Sequence, residues 1–168
     1  LKKLHDEGLI KFVVSTNLDG LHYKSGMDPL VDLAELHGSM WYERCVRCHK
    51  DSPVRPFPVR RGGDPAKSHP RATGRWCSCG GMYMDSGIDF GQTLPWRHLA
   101  AAEAAAKASD FSLVVGTSMR VAPASTLPFV LGGVKDYEGV KTGDEEKTAA
   151  SSSDAPISKD NVMIVNLM

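Results

Sequence analysis

The four cysteines of this 168-residue chain fall in two close pairs, Cys45 and Cys48 in CVRC and Cys77 and Cys79 in CSCGG, with about 28 residues between the pairs. They lie in a stretch, from about Glu43 to Tyr83, that is rich in Pro, Gly and Arg and nearly free of apolar periodicity. Such a segment cannot fold on hydrophobic burial alone, so something else must hold it. Zinc takes four soft ligands in a tetrahedron at roughly 2.3 Å each, and two close pairs bracketing a loop can supply them. Coordination then provides folding energy that the missing core does not. Disulfides compete with this reading but need an oxidising compartment, for which the sequence carries no signal. A redox-active CVRC would more naturally sit at a helix start beside a strand. The C-x-C spacing of the second pair is tighter than usual, which keeps His49 and His69 open as replacements for one ligand. Four cysteine ligands leave no position for water, so the expectation is one structural Zn2+ in a zinc-binding module over 43–84.

On either side of this insert the chain has a different character. FVVSTN, SLVVGTS and VMIVN are apolar runs of buried-strand composition, each switching at its carboxyl end to Asn, Thr, Ser or Gly. Helical segments are expected between them. LKKLHDEGLI reads as the end of a helix stopped by Gly8, and MDPLVDLAELHGS as a short helix with Pro29 in its first turn and Leu30, Leu33 and Leu36 near one face. SGIDFGQTLP reads as a short strand and turn, and HLAAAEAAAKASD as an Ala-rich helix with Glu103 four residues before Lys107. STLPFVL is a weaker helical candidate. Strands alternating with helices indicate an α/β fold, a Rossmann-like parallel sheet with helices on both faces, discontinuous over 1–42 and 85–168 around the inserted zinc module. In such sheets a ligand sits beyond the carboxyl ends of the strands, where the polar endings converge. The stretch 135–161, poor in apolar residues and full of Ser, Asp, Glu and Lys, is expected to be a disordered loop.

Formal net charge is zero, so no global field favours nucleic acid or anionic lipid. Only the insert is locally basic, with nine Lys or Arg against three acids. No apolar run approaches the roughly 20 residues needed to cross a bilayer, and an intracellular chain without a membrane partner is expected. Opening on Leu1 inside a helix and ending just after a strand, the sequence is expected to be a fragment of a longer protein.

Four motifs, in order, resemble those of the sirtuins, NAD-dependent protein deacylases. STNLDGLHYKSG resembles T-Q-N-[IV]-D-x-L-H-x-x-[AS]-G, with Thr16 where glutamine is usual, and LAELHGS resembles the catalytic L-x-E-x-H-G. GTSMRVAPASTLP resembles G-T-S-L-x-V-x-P, and MIVNL the last nucleotide-binding strand, with the cysteine module inserted after H-G as in the family. ATGRWC and IDFGQTLP look most like the class IV branch, which includes chromatin-associated deacylases. That branch favours the nucleus, with cytoplasm and mitochondrion remaining open.

The resemblance implies NAD as co-substrate and an acyl-lysine protein or peptide, histone among the options, meeting in a cleft beside the zinc module. It makes His37 the general base for a ribose hydroxyl, a task suited to imidazole, whose free pKa is about 6.5. Asn17 is a second catalytic candidate. Thr16, Asn17, Leu18 and Asp19 are implied around nicotinamide and ribose, Gly116, Thr117 and Ser118 along the cofactor, and Asn166 and Leu167 on the adenosine side. Ile88, Asp89 and Phe90 are implied as an edge strand to which the peptide adds, with Gln92 replacing an acid often seen there. The products implied are nicotinamide, free lysine and O-acyl-ADP-ribose. The family's G-A-G-x-S and D-F-R segments are not in this sequence and would precede Leu1, so the fragment itself is expected to bind NAD poorly.

Two other functions fit the same residues. ADP-ribose transfer to protein would use the same cleft. A zinc-stabilised module without catalysis could meet chromatin or nucleic acid through Arg44, Arg47, Arg55, Arg60, Arg61, Arg71 and Arg75.

Overall fold

A computed structural model of the chain describes residues 1–60, 70–130 and the strand 162–165. The chain divides into two compact units, Leu1–Ala101 and Ala102–Met168.

In the first unit, helix α1 (Lys2–Asp6) ends as expected at Gly8, whose φ of +72° suits a residue without a side chain. Strand β1 (Val13–Ser15) follows, then the short helix α2 (Leu21–Lys24). Strand β2 (Leu33–Glu35) runs parallel to β1 in the register Val13 to Leu33, Val14 to Ala34 and Ser15 to Glu35. Val13, Met27 and Leu33 form a buried cluster with Ile10 and Tyr23 packed against it.

The segment MDPLVDLAELHGS therefore contains a strand where the leucine spacing predicts a helix. All three residues of β2 are buried, and a strand covered on both faces reads as a continuous apolar run in which helical spacing appears by coincidence. The turn before it is closed by bonds from the Val31 and Asp32 N–H groups to the Asp28 carbonyl and from the Leu30 N–H to the Leu33 carbonyl. Leu30 takes a positive φ of 66°, which no helix accommodates.

The cysteine module is a three-stranded antiparallel sheet in the order β3 (Glu43–Cys45), β5 (Met82–Asp85), β4 (Ala72–Trp76). The register between β4 and β5 shifts between Ala72 and Trp76, at Gly74 with its φ of +78°. In SGIDFGQTLP the turn forms but the strand does not. The strand lies just upstream as β5, and Ile88, Asp89 and Phe90 belong to no strand among the described residues, because no neighbouring strand lends them a ladder.

Helix α3 (Trp96–Ala108) matches the Ala-rich segment and starts in the first unit. In the second unit, β6 (Ser112–Val115) pairs in parallel with β7 (Val162–Val165), residue 112 opposite 162 through 115 opposite 165. STLPFVL contributes one turn of 3₁₀ helix, Leu127–Phe129, with Pro128 in it. Of the expected apolar runs, SLVVGTS and VMIVN thus pair in parallel with each other, while FVVSTN pairs in parallel with β2, the strand found in place of an expected helix. The expected loop at 135–161 lies outside the described residues, as do Asn166 and Leu167.

Candidate active site and metal centre

The carboxyl ends of β1 and β2 lie side by side, and backbone bonds carry the pairing past the strands. The Leu36 N–H donates to the Ser15 carbonyl at 2.9 Å, and the Met40 N–H to the Leu18 carbonyl at 3.0 Å. The Trp41 indole N–H reaches the Asp19 carbonyl at 2.7 Å, and the Lys24 ammonium sits 3.6 Å from the centre of the Trp41 ring. Gly20, at φ +67°, lies flat against that indole, where a Cβ would come within 2.3 Å of Trp41 Cδ1. Thr16 to Asp19 thus run alongside His37 to Trp41. Asn17, Leu18 and Asp19 are exposed, while Thr16 and His37 are half-buried. One Asp19 oxygen is engaged by the Leu21 N–H at 2.9 Å.

The turn at His37 is pinned to a second segment. The His37 carbonyl accepts the Ile88 N–H at 3.0 Å, the Ser39 N–H donates to Ser86 Oγ at 3.0 Å, and that hydroxyl donates back to the Ser39 carbonyl at 2.7 Å. Gly38 lies between them at φ +80°, so close that a Cβ would come within 1.9 Å of the Ser86 carbonyl oxygen. A cleft of about 240 Å³ opens here, lined by Leu18, Ser39, Met40, Val59, Asp85, Gly87, Ile88 and Asp89. Arg71 braces its far wall with bonds to Asp85 Oδ1 at 2.8 Å and Gln92 Oε1 at 2.6 Å and a further bond to the Gly87 carbonyl. Phe90, next in sequence to Asp89, is 98% exposed.

In the second unit, Gly116 follows β6 with a φ of +66°, no atom of the described residues lies within 4 Å of where its Cβ would be, and Thr117 and Ser118 come next. Thr117 Oγ1 accepts the Met119 N–H at 3.2 Å, and Ser118 is exposed.

The four cysteine sulfurs all lie within 4.8 Å of one another. Cys45 and Cys79 Sγ are 3.5 Å apart, and Cys48 and Cys77 Sγ 3.7 Å. A tetrahedron with arms of about 2.3 Å has edges of about 3.8 Å, so these separations fit zinc, whereas a disulfide bond would be about 2.0 Å. The cluster excludes His49, which is exposed, while His69 lies outside the described residues. The N–H groups of Arg47 and Cys48 point at Cys45 Sγ from 3.4 and 3.5 Å, stabilising its thiolate. Hydrogen bonding from the Cys79 backbone and from Tyr83 brings the Cys77 thiol down to about 6. Gly81 is required here, since its Cβ would meet Cys45 Sγ at 2.5 Å.

The arginines of the insert are largely committed within it. Arg44 Nε pairs with Asp51 at 2.7 Å, and Arg55 and Arg75 close on the buried Glu43 at 3.0 and 2.9 Å. Arg71 holds Asp85, and Arg47 donates to the Cys79 carbonyl at 2.8 Å. Arg61 lies outside the described residues.

Residues 1–123 match the model of the Sir2 family. The chain belongs to the Sir2 family. It is 37% identical over 131 residues to the NAD-dependent protein deacetylase SRT1 of Arabidopsis thaliana, covering 76% of this chain and 26% of that protein. It is 40% identical over 129 residues to the NAD-dependent protein deacetylase sirtuin-7 of Bos taurus, covering 72% and 30%. Among solved structures, a complex described as Sir2-p53 peptide-NAD+ aligns with a TM-score of 0.52 at 29% identity, over 76% of this chain and 49% of that one. Sir2 bound to acetylated peptide aligns with a TM-score of 0.53 at 28% identity, over 76% and 50%. The chain therefore spans about a quarter to a third of these two relatives and about half of these two structures. No helix among the described residues is long and apolar enough to cross a membrane.

The Sir2 motif LAELHG also contains a buried polar group that the motif reading passes over. Glu35 is 1% exposed, and burial, with Asp19 and Asp51 adding repulsion, pushes its carboxyl up to about 7. The Glu35 N–H donates to His98 Nδ1 at 3.1 Å, and His98 Nε2 lies 2.8 Å from Asp51 Oδ2. His98 is fully buried, its ring parallel to that of Tyr42 within 4° at a centroid distance of 6.1 Å. Burial alone would raise the Asp51 carboxyl, but the His98 hydrogen bond and Arg44 outweigh it and hold the group below its ordinary range. The one local signal was a carboxylate between Ala34 and Leu36 in an otherwise apolar run. His98, in the first turn of an Ala-rich helix, gave none.

Proposed function

We propose that the protein containing this chain removes acyl groups from protein lysines at the expense of NAD. The observation that carries this is the pairing of Thr16–Asp19 with His37–Trp41, which brings an imidazole, an amide and a carboxylate to neighbouring strand ends. The exposed Asn17 and Asp19 side chains suit a carboxamide and ribose hydroxyls, and Gly116, Thr117 and Ser118 are assigned to the cofactor by the family motif. Asn166 and Leu167 are assigned to the adenosine side by the family motif. NAD, when bound, supplies the sugar that accepts the acyl group as nicotinamide departs.

The chain's own part begins with His37, which takes the proton of a ribose hydroxyl at an imidazole nitrogen. Asn17 orients the carboxamide, and Leu18 and Thr16 pack the pocket wall. The peptide is assigned to Ile88, Asp89 and Phe90 by the family motif; the Ile88 and Asp89 N–H groups and the Asp89 carbonyl are bonded within the chain, so main-chain pairing with the peptide falls to the other backbone groups of this segment. The zinc site has no catalytic step; it holds the sheet to which this wall is attached. An acyl-lysine of histone in a nuclear setting is the substrate favoured by the class IV features. The engagement of Arg44, Arg47, Arg55, Arg71 and Arg75 inside the insert weighs against a nucleic-acid module.

The test is to incubate the full-length protein with NAD and an acetylated peptide and to measure nicotinamide and O-acyl-ADP-ribose. Release of both, abolished by His37→Ala with zinc retained, is the expected result. Nicotinamide release accompanied by ADP-ribosylated protein, without deacylated peptide, would reassign the cleft to ADP-ribose transfer, and no release at all would overturn the enzyme reading.

A further inference from the structure

We propose that His98, buried on α3, is a positioning residue for His37, tying strand β2 to the cysteine module through one imidazole ring. The inference rests on His37 being the base of the proposed reaction.

In a parallel pair, alternate residues direct their N–H groups to opposite sides of the strand. The Leu36 N–H points towards β1, where it finds the Ser15 carbonyl. The Glu35 N–H therefore points the other way, and among the described residues no strand pairs with that edge of β2. His98 Nδ1 stands in for the absent neighbour. Because this nitrogen accepts a hydrogen bond, the ring carries its proton on Nε2, which donates to Asp51 Oδ2. The second Asp51 oxygen is held by Arg44, the residue beside Cys45. The stacked ring of Tyr42 keeps the imidazole from rotating out of this alignment.

Glu35 is two residues from His37, with only Leu36, fully buried, between them. A displacement of the Glu35 peptide passes directly into the turn that carries the base. His98 thus fixes β2 on the side that β1 does not reach, and it does so against Asp51 and Arg44, next to Cys45 of the cysteine cluster. A misplacement of about 1 Å at a reacting group can cost about a hundredfold in rate. A buried link of this kind is therefore a determinant of turnover without touching substrate.

The two ends of the link can be separated by amide replacements in the full-length protein. His98→Asn puts an oxygen near the position of Nδ1 and keeps the Glu35 bond while losing Asp51. His98→Gln puts an amide N–H near Nε2 and keeps the Asp51 bond, and His98→Ala loses both. Expected is a fall in kcat of about tenfold or more for His98→Ala and His98→Gln, which release β2, at unchanged KM for NAD and full zinc content, and a smaller fall, of about threefold to tenfold, for His98→Asn, which holds β2 but loses its anchor on Asp51. Imidazole NMR supplies a readout that needs no turnover: the His37 ring resonances should shift in His98→Ala and His98→Gln and return in part in His98→Asn. Unshifted His37 resonances, or equal losses in all three variants that follow thermal stability, overturn the positioning role. A wild-type protein without turnover would instead count against the proposed function, leaving the resonance shifts to decide the role of His98.

Discussion

Replacing Gly38 by alanine should be among the most damaging single-methyl changes available to this chain, and Gly91 provides the control. Both glycines have a φ of +80°. An alanine in that conformation costs roughly 1–2 kcal/mol from backbone crowding alone. At Gly91 no atom of the described residues lies within 4 Å of the added carbon, so the backbone term is the whole effect. At Gly38 the same carbon would be 1.9 Å from the Ser86 carbonyl oxygen and 2.5 Å from its carbon, both backbone atoms that no rotamer change can remove. The Ser86–Ile88 segment must then retreat. Its retreat breaks the Ser39 N–H to Ser86 Oγ bond, the Ser86 hydroxyl to Ser39 carbonyl bond and the Ile88 N–H to His37 carbonyl bond. At about 0.5–1.5 kcal/mol net for each bond, Gly38→Ala should lose roughly 2–4 kcal/mol more than Gly91→Ala. Urea unfolding of zinc-loaded protein, followed by tryptophan fluorescence, measures both. Equal losses in the two variants, within about 0.5 kcal/mol, would refute the close approach of the His37 turn to Ser86.

Glu35→Gln should alter the pH dependence of stability. The folded carboxyl is raised from 4.5 to about 7, so the wild type binds more protons folded than unfolded and loses stability as pH rises through this interval, by about 3 kcal/mol in total. The glutamine variant should lack that loss, which unfolding titrations between pH 4.5 and 8 will detect; parallel curves for the two proteins would contradict it. Chelation of the metal should unfold the β3–β5–β4 sheet, and Cys77→Ser should reduce zinc stoichiometry, readable by metal analysis together with hydrogen exchange. Persistent exchange protection of that sheet after complete metal removal would show that packing suffices to hold it. Gly20→Ala forces the Trp41 indole out of its place, so its fluorescence should shift and the KM for NAD should rise; an unchanged spectrum would mean that the indole is not held as described.

What the sequence revealed about the fold depended on where each segment obtains its stability. Val13, Val14, Leu113, Val114 and Val115 announce their strands because β-branched and apolar residues are concentrated there, and α3 announces itself through intrinsic alanine propensity. Strand β2 misleads because it is buried on both faces, so Leu33, Ala34 and Leu36 have no alternation with polar residues to distinguish a period of two from one of 3.6. Strands β3, β4 and β5 are obscured for a different reason. Cysteine ligands and ion pairs replace apolar burial there, as at Glu43 between Arg55 and Arg75, and a strand held in this way needs no alternating pattern.

The candidate site divides along the same line. Asn17, Asp19 and His37 are candidates through the resemblance of their motifs to those of the Sir2 family, since polar residues ending one apolar run are by themselves ordinary. The groups that hold them in place act over long range: His98 meets Glu35 across 63 residues and Asp51 across 47, and Ser86 meets Ser39 across 47. Each of these side chains is ordinary in its own neighbourhood, a histidine in a first helical turn or a serine before a glycine, and becomes informative only when the partner is known. A ligand-binding residue must remain exposed and so conflicts with its apolar surroundings, whereas a supporting residue is satisfied by its partners and shows no conflict. In this chain, family motifs therefore supply the candidates for the proposed chemistry, while three-dimensional pairing is needed to explain what holds the imidazole at position 37 in its place.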